Sequence, residues 1–306
     1  MTNSFYSNKS PIISLFVLMM LVAVASGTSQ VIMIMIGQGM GMELDVIVTS
    51  LDPEKPDSAN QYFIMLMQMI ISMVSFILVP ALFYVFYLKS SLTDSLELPD
   101  FNIKPFIILF GVTVSFMIVN AVFIEWNREI EFPEPFQSSA KSLEDQAELL
   151  TRYLTNFQTI PYFLLGFIVI AIIPAIGEEF LFRGLIQNLT KSIFGNIHVA
   201  IWVTASLFSA FHFQFFGFVP RMLLGAFFGY VLYFSGNLWY AIAAHFINNG
   251  FTLLMLYLYQ KEIIRYDIEN TESIPLETVA IFFIIGVVLF WSFIKYFQNS
   301  ITHANE

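Results

Sequence analysis

The chain reads TIPYFLLGFIVIAIIPAI from Thr159 to Ile176, and Gly177-Glu178-Glu179-Phe180-Leu181-Phe182-Arg183 follows at once. The first stretch carries no charge and, at about 1.5 Å of rise per residue, is long enough to cross most of a hydrocarbon core of about 30 Å. Two glutamates set against its end therefore need a reason, because a charge at membrane depth costs at least about 2.5–3.5 kcal/mol on insertion scales. Long apolar runs recur along the whole chain, approximately Ile12 to Ile36, Gln61 to Leu88, Pro105 to Ile124, Thr159 to Ile176, His198 to Phe213, Phe218 to Phe234, Leu238 to Tyr259 and Thr278 to Tyr296. Lipid offers no partner to an exposed backbone group, so these runs predict helices. The expected fold class is all-α, a polytopic membrane bundle of about eight transmembrane helices.

Composition agrees. Of 306 residues, 57% are hydrophobic and only 12% charged, which is not a water-soluble balance. The absence of cysteine removes disulfides, thiolate catalysis and cysteine-ligated metal centres. A formal net charge of −10, with no basic run, speaks against nucleic acid as a partner. The expected surroundings are a lipid bilayer, in a multi-pass protein of a cell membrane.

The first run has two readings. Lys9, an apolar stretch and Ala23-Val24-Ala25 before Ser26 resemble a signal peptide with its cleavage site, but apolar residues resume from Val31 to Ile36, and the total length favours a retained helix. Orientation is not decided by charge, since placing both termini on one side puts Lys9, Lys89, Lys104, Arg183, Lys191 and Lys295 there against seven basic residues opposite. A cytoplasmic N-terminus is the expectation adopted. Between the third and fourth runs, Glu131-Phe132-Pro133-Glu134-Pro135 predicts extended chain. After it, Ala140, Leu143, Ala147, Leu150, Leu154 and Phe157 fall at steps of three and four, with Ser142 and Asp145 spaced as a capping box. An amphipathic helix results, lying on the membrane surface or packed on the bundle, or else acting as a lid over a substrate entrance. Gly225 and Gly229 form a Gly-x-x-x-Gly that predicts close helix packing.

Few ionisable groups fall within the apolar runs. The seven aspartates lie outside them, leaving Glu178, Glu179 and Arg183 together with His212 and His245. Glu179 and Arg183 are four apart and suited to an intrahelical ion pair, which leaves Glu178, about 100° round the helix, to point elsewhere. His245 and Asn249 have the same spacing and share a helix face. One unpaired glutamate, two histidines and an asparagine on three successive apolar segments predict a shared polar site. His198 and His303 are assigned no function, Arg221 is read as an interfacial anchor, and Phe208 and Phe211 as cavity walls.

A carboxylate withdrawn from bulk water can take a proton from a water molecule, a histidine can orient that water, and a second histidine with an amide donor can stabilise an oxyanion. Peptide hydrolysis within the membrane fits this set. There is no His-Glu-x-x-His helix and no pair of membrane aspartates. A serine design using Ser206, Ser209 or Ser235 leaves the glutamates without work. A proton- or ion-coupled transporter and a non-catalytic immunity or scaffold protein are the competing classes.

The motifs Glu178-Glu179-Phe180-Leu181-Phe182-Arg183 (EExxxR), Phe208 to His212 (FxxxH) and His245 to Asn249 (HxxxN) resemble those of the CPBP family, the CaaX-type prenyl-protein endopeptidases and their bacterial relatives, often called Abi proteins. The resemblance spans roughly Thr159 to Tyr259, and Gly236-Asn237-Leu238-Trp239-Tyr240 is similar to the family's approach to its third motif. It implies Glu178 as general base, His212 positioning the water, His245 and Asn249 forming the oxyanion site, and Glu179 and Arg183 in support. Its relatives have also been labelled metalloproteases, and Glu178, His212 and His245 offer zinc a possible oxygen and nitrogen ligand set. Metal-independent chemistry is the expectation, because Asn249 serves better as an oxyanion donor than as a ligand. The substrate implied is a membrane-embedded or lipid-anchored peptide. The chain then divides into N-terminal transmembrane helices with polar loops (1–158), a CPBP-like catalytic core (159–259), and a loop with a C-terminal transmembrane helix (260–306).

Overall fold

Apolar runs flanked by asparagine, aspartate and threonine caps become long helices with sharp starts. The computed structural model describes residues 9–43, 51–54, 57–90, 102–266 and 274–304, the side chains of 300–304 excepted. Among the described residues there are nine helices and no strand: α1 (Pro11–Gly39), α2 (Ser58–Tyr87), α3 (Ile103–Arg128), α4 (Phe136–Leu154), α5 (Ile160–Phe194), α6 (Ile197–Ala210), α7 (Phe218–Ser235), α8 (Leu238–Gln260) and α9 (Leu276–Ala304). Asp57, Asn102, Thr159, Asn196 and Asn237 each accept a hydrogen bond from a first-turn N–H of the helix that follows. The α5–α6 and α7–α8 turns use one device twice. Gly195 and Gly236 end the first helix in the left-handed region, φ +67° and +64°, and the asparagine after each caps the next.

Seven helices are long and apolar enough to span a membrane: α1, α2, α3, α5, α7, α8 and α9. The fifth predicted span is different. Helix α6 has 14 residues, about 21 Å of helix, and ends at Ala210, so the run His198–Phe213 does not cross a bilayer alone. It pairs with α7 as a hairpin, with His198 beside Tyr230 and Tyr233 at its base and the turn 211–217 at its tip. The fourth span is longer than its apolar run, since α5 passes Ile176 and continues to Phe194, which puts the glutamates inside a helix rather than at its end. His303 lies on helical backbone of α9, and its side chain is outside the described residues.

One end of the bundle carries the polar connections. There α4 starts at Phe136, so the Ser142–Asp145 capping box does not form: Ser142 is inside the helix and accepts from Gln146. The last carbonyls of α4, orphaned as at every helix C-terminus, are met by side chains from elsewhere. Gln61 donates to Tyr153 O at 2.7 Å, Tyr162 to Leu154 O at 3.1 Å and Gln260 to Thr155 O at 2.9 Å. The other end of α4 packs Phe132 and Phe136 on Phe215 and Phe216 of the hairpin tip, at ring separations of 4.9–6.4 Å. Helix α4 is therefore packed on the bundle, fastened to the hairpin tip at its start and to α2, α5 and α8 at its end.

The α6–α7 hairpin depends on the predicted small residues. A side chain on Gly225 would meet Ala205 Cα at 3.2 Å and Phe208 at 3.1 Å, and one on Gly229 would meet Ile201 at 2.9 Å. Gly225→Val is expected to destabilise the protein by about 1–3 kcal/mol, the cost of overpacking a closed interface, read as a lowered unfolding midpoint in detergent, whereas Gly27→Ala, at an open position of α1, leaves the midpoint unchanged.

Candidate active site

Helix α5 is not a uniform α-helix. Its turns widen to π-helical at Phe167–Ile172 and again at Phe180–Ile186, flanking the glutamates, and such widened turns occur frequently at functional sites. Pro174 lies between them. Lacking an N–H, it gives no α-helical donor to the carbonyl four residues back, Ile170 O. Asn249 of α8 supplies the missing bond, Nδ2 to Ile170 O at 3.0 Å. Asn248 Nδ2 donates to Asn249 Oδ1 at 2.9 Å, which holds the amide in that orientation and leaves one N–H of Asn249 uncommitted to these two contacts.

The two glutamates part as their spacing predicts. Glu179 and Arg183 are fully buried and paired, Oε1 to Nη1 at 2.9 Å. The same carboxylate oxygen is 2.9 Å from His245 Nδ1, so Glu179 joins α5 to α8. Arg183 Nη2 donates to Gly225 O at 2.6 Å, which ties in α7, and the guanidinium carbon stands 4.8 Å over the ring of Phe208 and 5.4 Å over that of Phe228. Phe228 also stacks on His245, at 4.9 Å and 17°. A carboxylate only accepts, so His245 Nδ1 carries a proton and Nε2 faces the other way.

His212 is in the turn after α6, not within a span. Its Nδ1 is 2.9 Å from Phe208 O, a carbonyl that only accepts, so this nitrogen is the donor and Nε2 keeps its lone pair in the neutral ring. The turn is held from three sides: Asn127 donates to Phe215 O at 3.1 Å and accepts from Val219 N at 2.7 Å, Asn120 donates to Pro220 O at 3.2 Å, and Ser209 donates to Phe218 O at 2.6 Å. The hydroxyls of Ser206, Ser209 and Ser235 all donate to backbone carbonyls, and among the described contacts none of these hydroxyls meets a histidine.

Glu178, His212, His245 and Asn249 open on one cavity of about 1090 Å³. Phe208 forms part of its wall, while Phe211 packs on Phe182 instead. Helix α4 lines the cavity with Glu144, Leu150, Thr151 and Leu154. Arg221 corrects an expectation. Read as an interfacial anchor, it lines the cavity instead, and its guanidinium bonds Gln214, Nη2 to Oε1 at 2.5 Å. Gln214 in turn donates to Glu144 Oε1 at 3.0 Å. Neither Glu144 nor Gln214 stood out in the sequence, since nothing distinguishes Glu144 from the other acids on the polar face of α4.

Among the described residues no three His, Asp or Glu side chains converge as a metal site. The buried pair of Glu179 and Arg183 is structural: Arg183→Met is expected to cost about 3–5 kcal/mol by leaving the Glu179 carboxylate without its guanidinium, and the double variant Glu179→Gln/Arg183→Met to recover much of that loss, both read from unfolding midpoints.

We found no significant match to the chain among curated proteins or among solved structures. Residues 160–251, the stretch that supplies Glu178, His212, His245 and Asn249, match a family model described as type II CAAX prenyl endopeptidase Rce1-like. Over that segment the chain is similar to the Rce1-like endopeptidases, in keeping with its resemblance to the CPBP family of CAAX proteases.

Proposed function

We propose that this multi-pass membrane protein is an intramembrane endopeptidase, of the plasma membrane of a prokaryotic cell, that cleaves a membrane-embedded or lipid-anchored peptide near its C-terminus with water activated by Glu178. The observation that carries the reading is the division of the glutamates, one buried against Arg183 and His245 and the other open to a cavity shared with two histidines and an asparagine.

In this mechanism His212 Nε2 accepts a hydrogen bond from a water molecule and directs it towards Glu178, which takes the proton as the oxygen attacks the scissile carbonyl carbon. Negative charge moves to the carbonyl oxygen. The second N–H of Asn249 and the Nε2–H of a protonated His245 donate to it, the latter's charge answered by Glu179 at Nδ1. Glu178 then passes its proton to the amide nitrogen, the C–N bond breaks, and an amine and a carboxylate leave. The aromatic and aliphatic walls hold the substrate's apolar anchor, and α4 limits access from water. No metal takes part in these steps.

Purified wild type and Glu178→Gln, each incubated with a membrane-protein extract and with an S-farnesyl peptide, should differ in the new peptide termini read by mass spectrometry. Cleavage is expected to fall about 10²–10⁴-fold in the variant, the usual contribution of a general base, and to withstand a metal chelator. Identical termini from both proteins, with both folded, would sink the reading. Ion flux lost on Glu178→Gln without any cleavage would replace it by a transporter.

A further inference from the structure

The mechanism uses neither arginine that lines the cavity, and of these Arg128 is paired with Glu125. Arg221 lies in the first turn of α7, partly buried, in the same cavity as Glu178. Its guanidinium meets two neutral acceptors, Gln214 Oε1 at 2.5 Å and Gln214 O at 3.4 Å. Among the described residues no carboxylate is within ion-pair distance of it, in contrast to Arg183, Arg128 and Arg152. Glu144 reaches it only through the Gln214 amide, and the second oxygen of Glu144 is buried with no hydrogen-bond partner. The group is also seated: its Nη1 occupies the space beside Gly217 where a Cβ would come within 2.6 Å. A guanidinium turned into an apolar cavity presents a planar fork matched to a carboxylate.

We propose that Arg221 binds the α-carboxylate of the substrate, and so makes the cavity select peptides cleaved a few residues from a free C-terminus. This rests on the peptidase reading of the site. Three residues of extended chain reach about 10 Å, so a peptide bond presented to Glu178 and a terminal carboxylate on Arg221 fit one cavity. The carboxylate replaces Gln214 at the guanidinium and takes over the charge that Glu144 answers at second hand. A lipid headgroup phosphate offers the same anionic oxygens, and the test separates the two sources.

The probe is a pentadecapeptide whose S-farnesyl cysteine is followed by three residues, made as the free acid and as the C-terminal amide. Binding is measured to the full chain carrying Glu178→Gln, which keeps the peptide intact, in phosphatidylcholine nanodiscs with and without phosphatidylglycerol. The acid is expected to bind about 10–100-fold tighter than the amide, the range for a hydrogen bond to a charged group. Adding Arg221→Gln should bring the ratio to about one with the amide's affinity unchanged. Gly217→Ala, which retains the charge but displaces the guanidinium, should lower the ratio. An acid preference that survives Arg221→Gln, or equal or absent binding of both peptides, overturns the proposal. So does a loss confined to phosphatidylglycerol retention, which would make the headgroup the ligand. Cleavage by protein with Glu178 intact is scored separately, so that failure of the peptidase reading shows as no hydrolysis while the binding ratio still decides the role of Arg221.

Discussion

A single carboxylate oxygen, Oε1 of Glu179, is shared by Arg183 on its own helix and His245 on α8. Everything around it is apolar or aromatic, and a charge in such a place is tolerated only with its partners in reach. The pair therefore constrains three helices at once: α5 through Glu179, α8 through His245, and α7 through the bond from Arg183 to Gly225 O. The glycine matters here beyond packing, because the close approach that lets α6 and α7 touch also brings a backbone carbonyl to the guanidinium. With the second glutamate neutralised in this way, the first is the acid left facing the cavity beside the histidines.

A second constraint acts at the hairpin tip. Non-helical backbone at membrane depth is acceptable only where it is buried in protein or lines a wet cavity, and the tip between α6 and α7 lines the cavity with His212, Phe216 and Gly217. Asparagines 120 and 127 of α3 take its backbone groups from one side, and Gln214 binds it to α4 on the other. His212 is thereby presented from a turn rather than from a helix face, with Nδ1 tied back to Phe208 O. Helix α4 and the turn it packs on are one assembly, joined by phenylalanines as well as by the amide.

Hydropathy made the class of fold legible, as well as the existence of most spans, because lipid imposes the same demand on each of them. It failed where the polarity of a segment and its conformation part company. The run of α6 looked long because Phe211 and Phe213 extend its apolar count, although the helix has stopped and Phe213 has turned to a φ of +53°. The run of α5 looked short because Glu178, Glu179, Arg183 and Gln187 interrupt it, yet an ion pair within the helix removes the cost of going on. Spacing was informative for the same reason: Glu179–Arg183 and His245–Asn249 obey helix geometry, which sequence carries. The bond from Asn249 to Ile170 had a visible cue in Pro174, and Arg221 had none, since three residues into an apolar run it resembles any anchor at an interface.

The short helix also shapes the lipid around the protein. Val199 and Trp202 of α6 are exposed, so acyl chains there meet an apolar belt of about 21 Å, against more than 30 Å along α2 or α3. A bilayer accommodates such a step by thinning locally, at a cost of fractions of a kcal/mol per ångström. The protein's perimeter is thus uneven in height, lowest beside the hairpin that leads to the cavity. For the anchored peptide of the proposed function, the thinnest lipid lies there, and an extended, partly hydrated segment is least expensive at that side of the molecule.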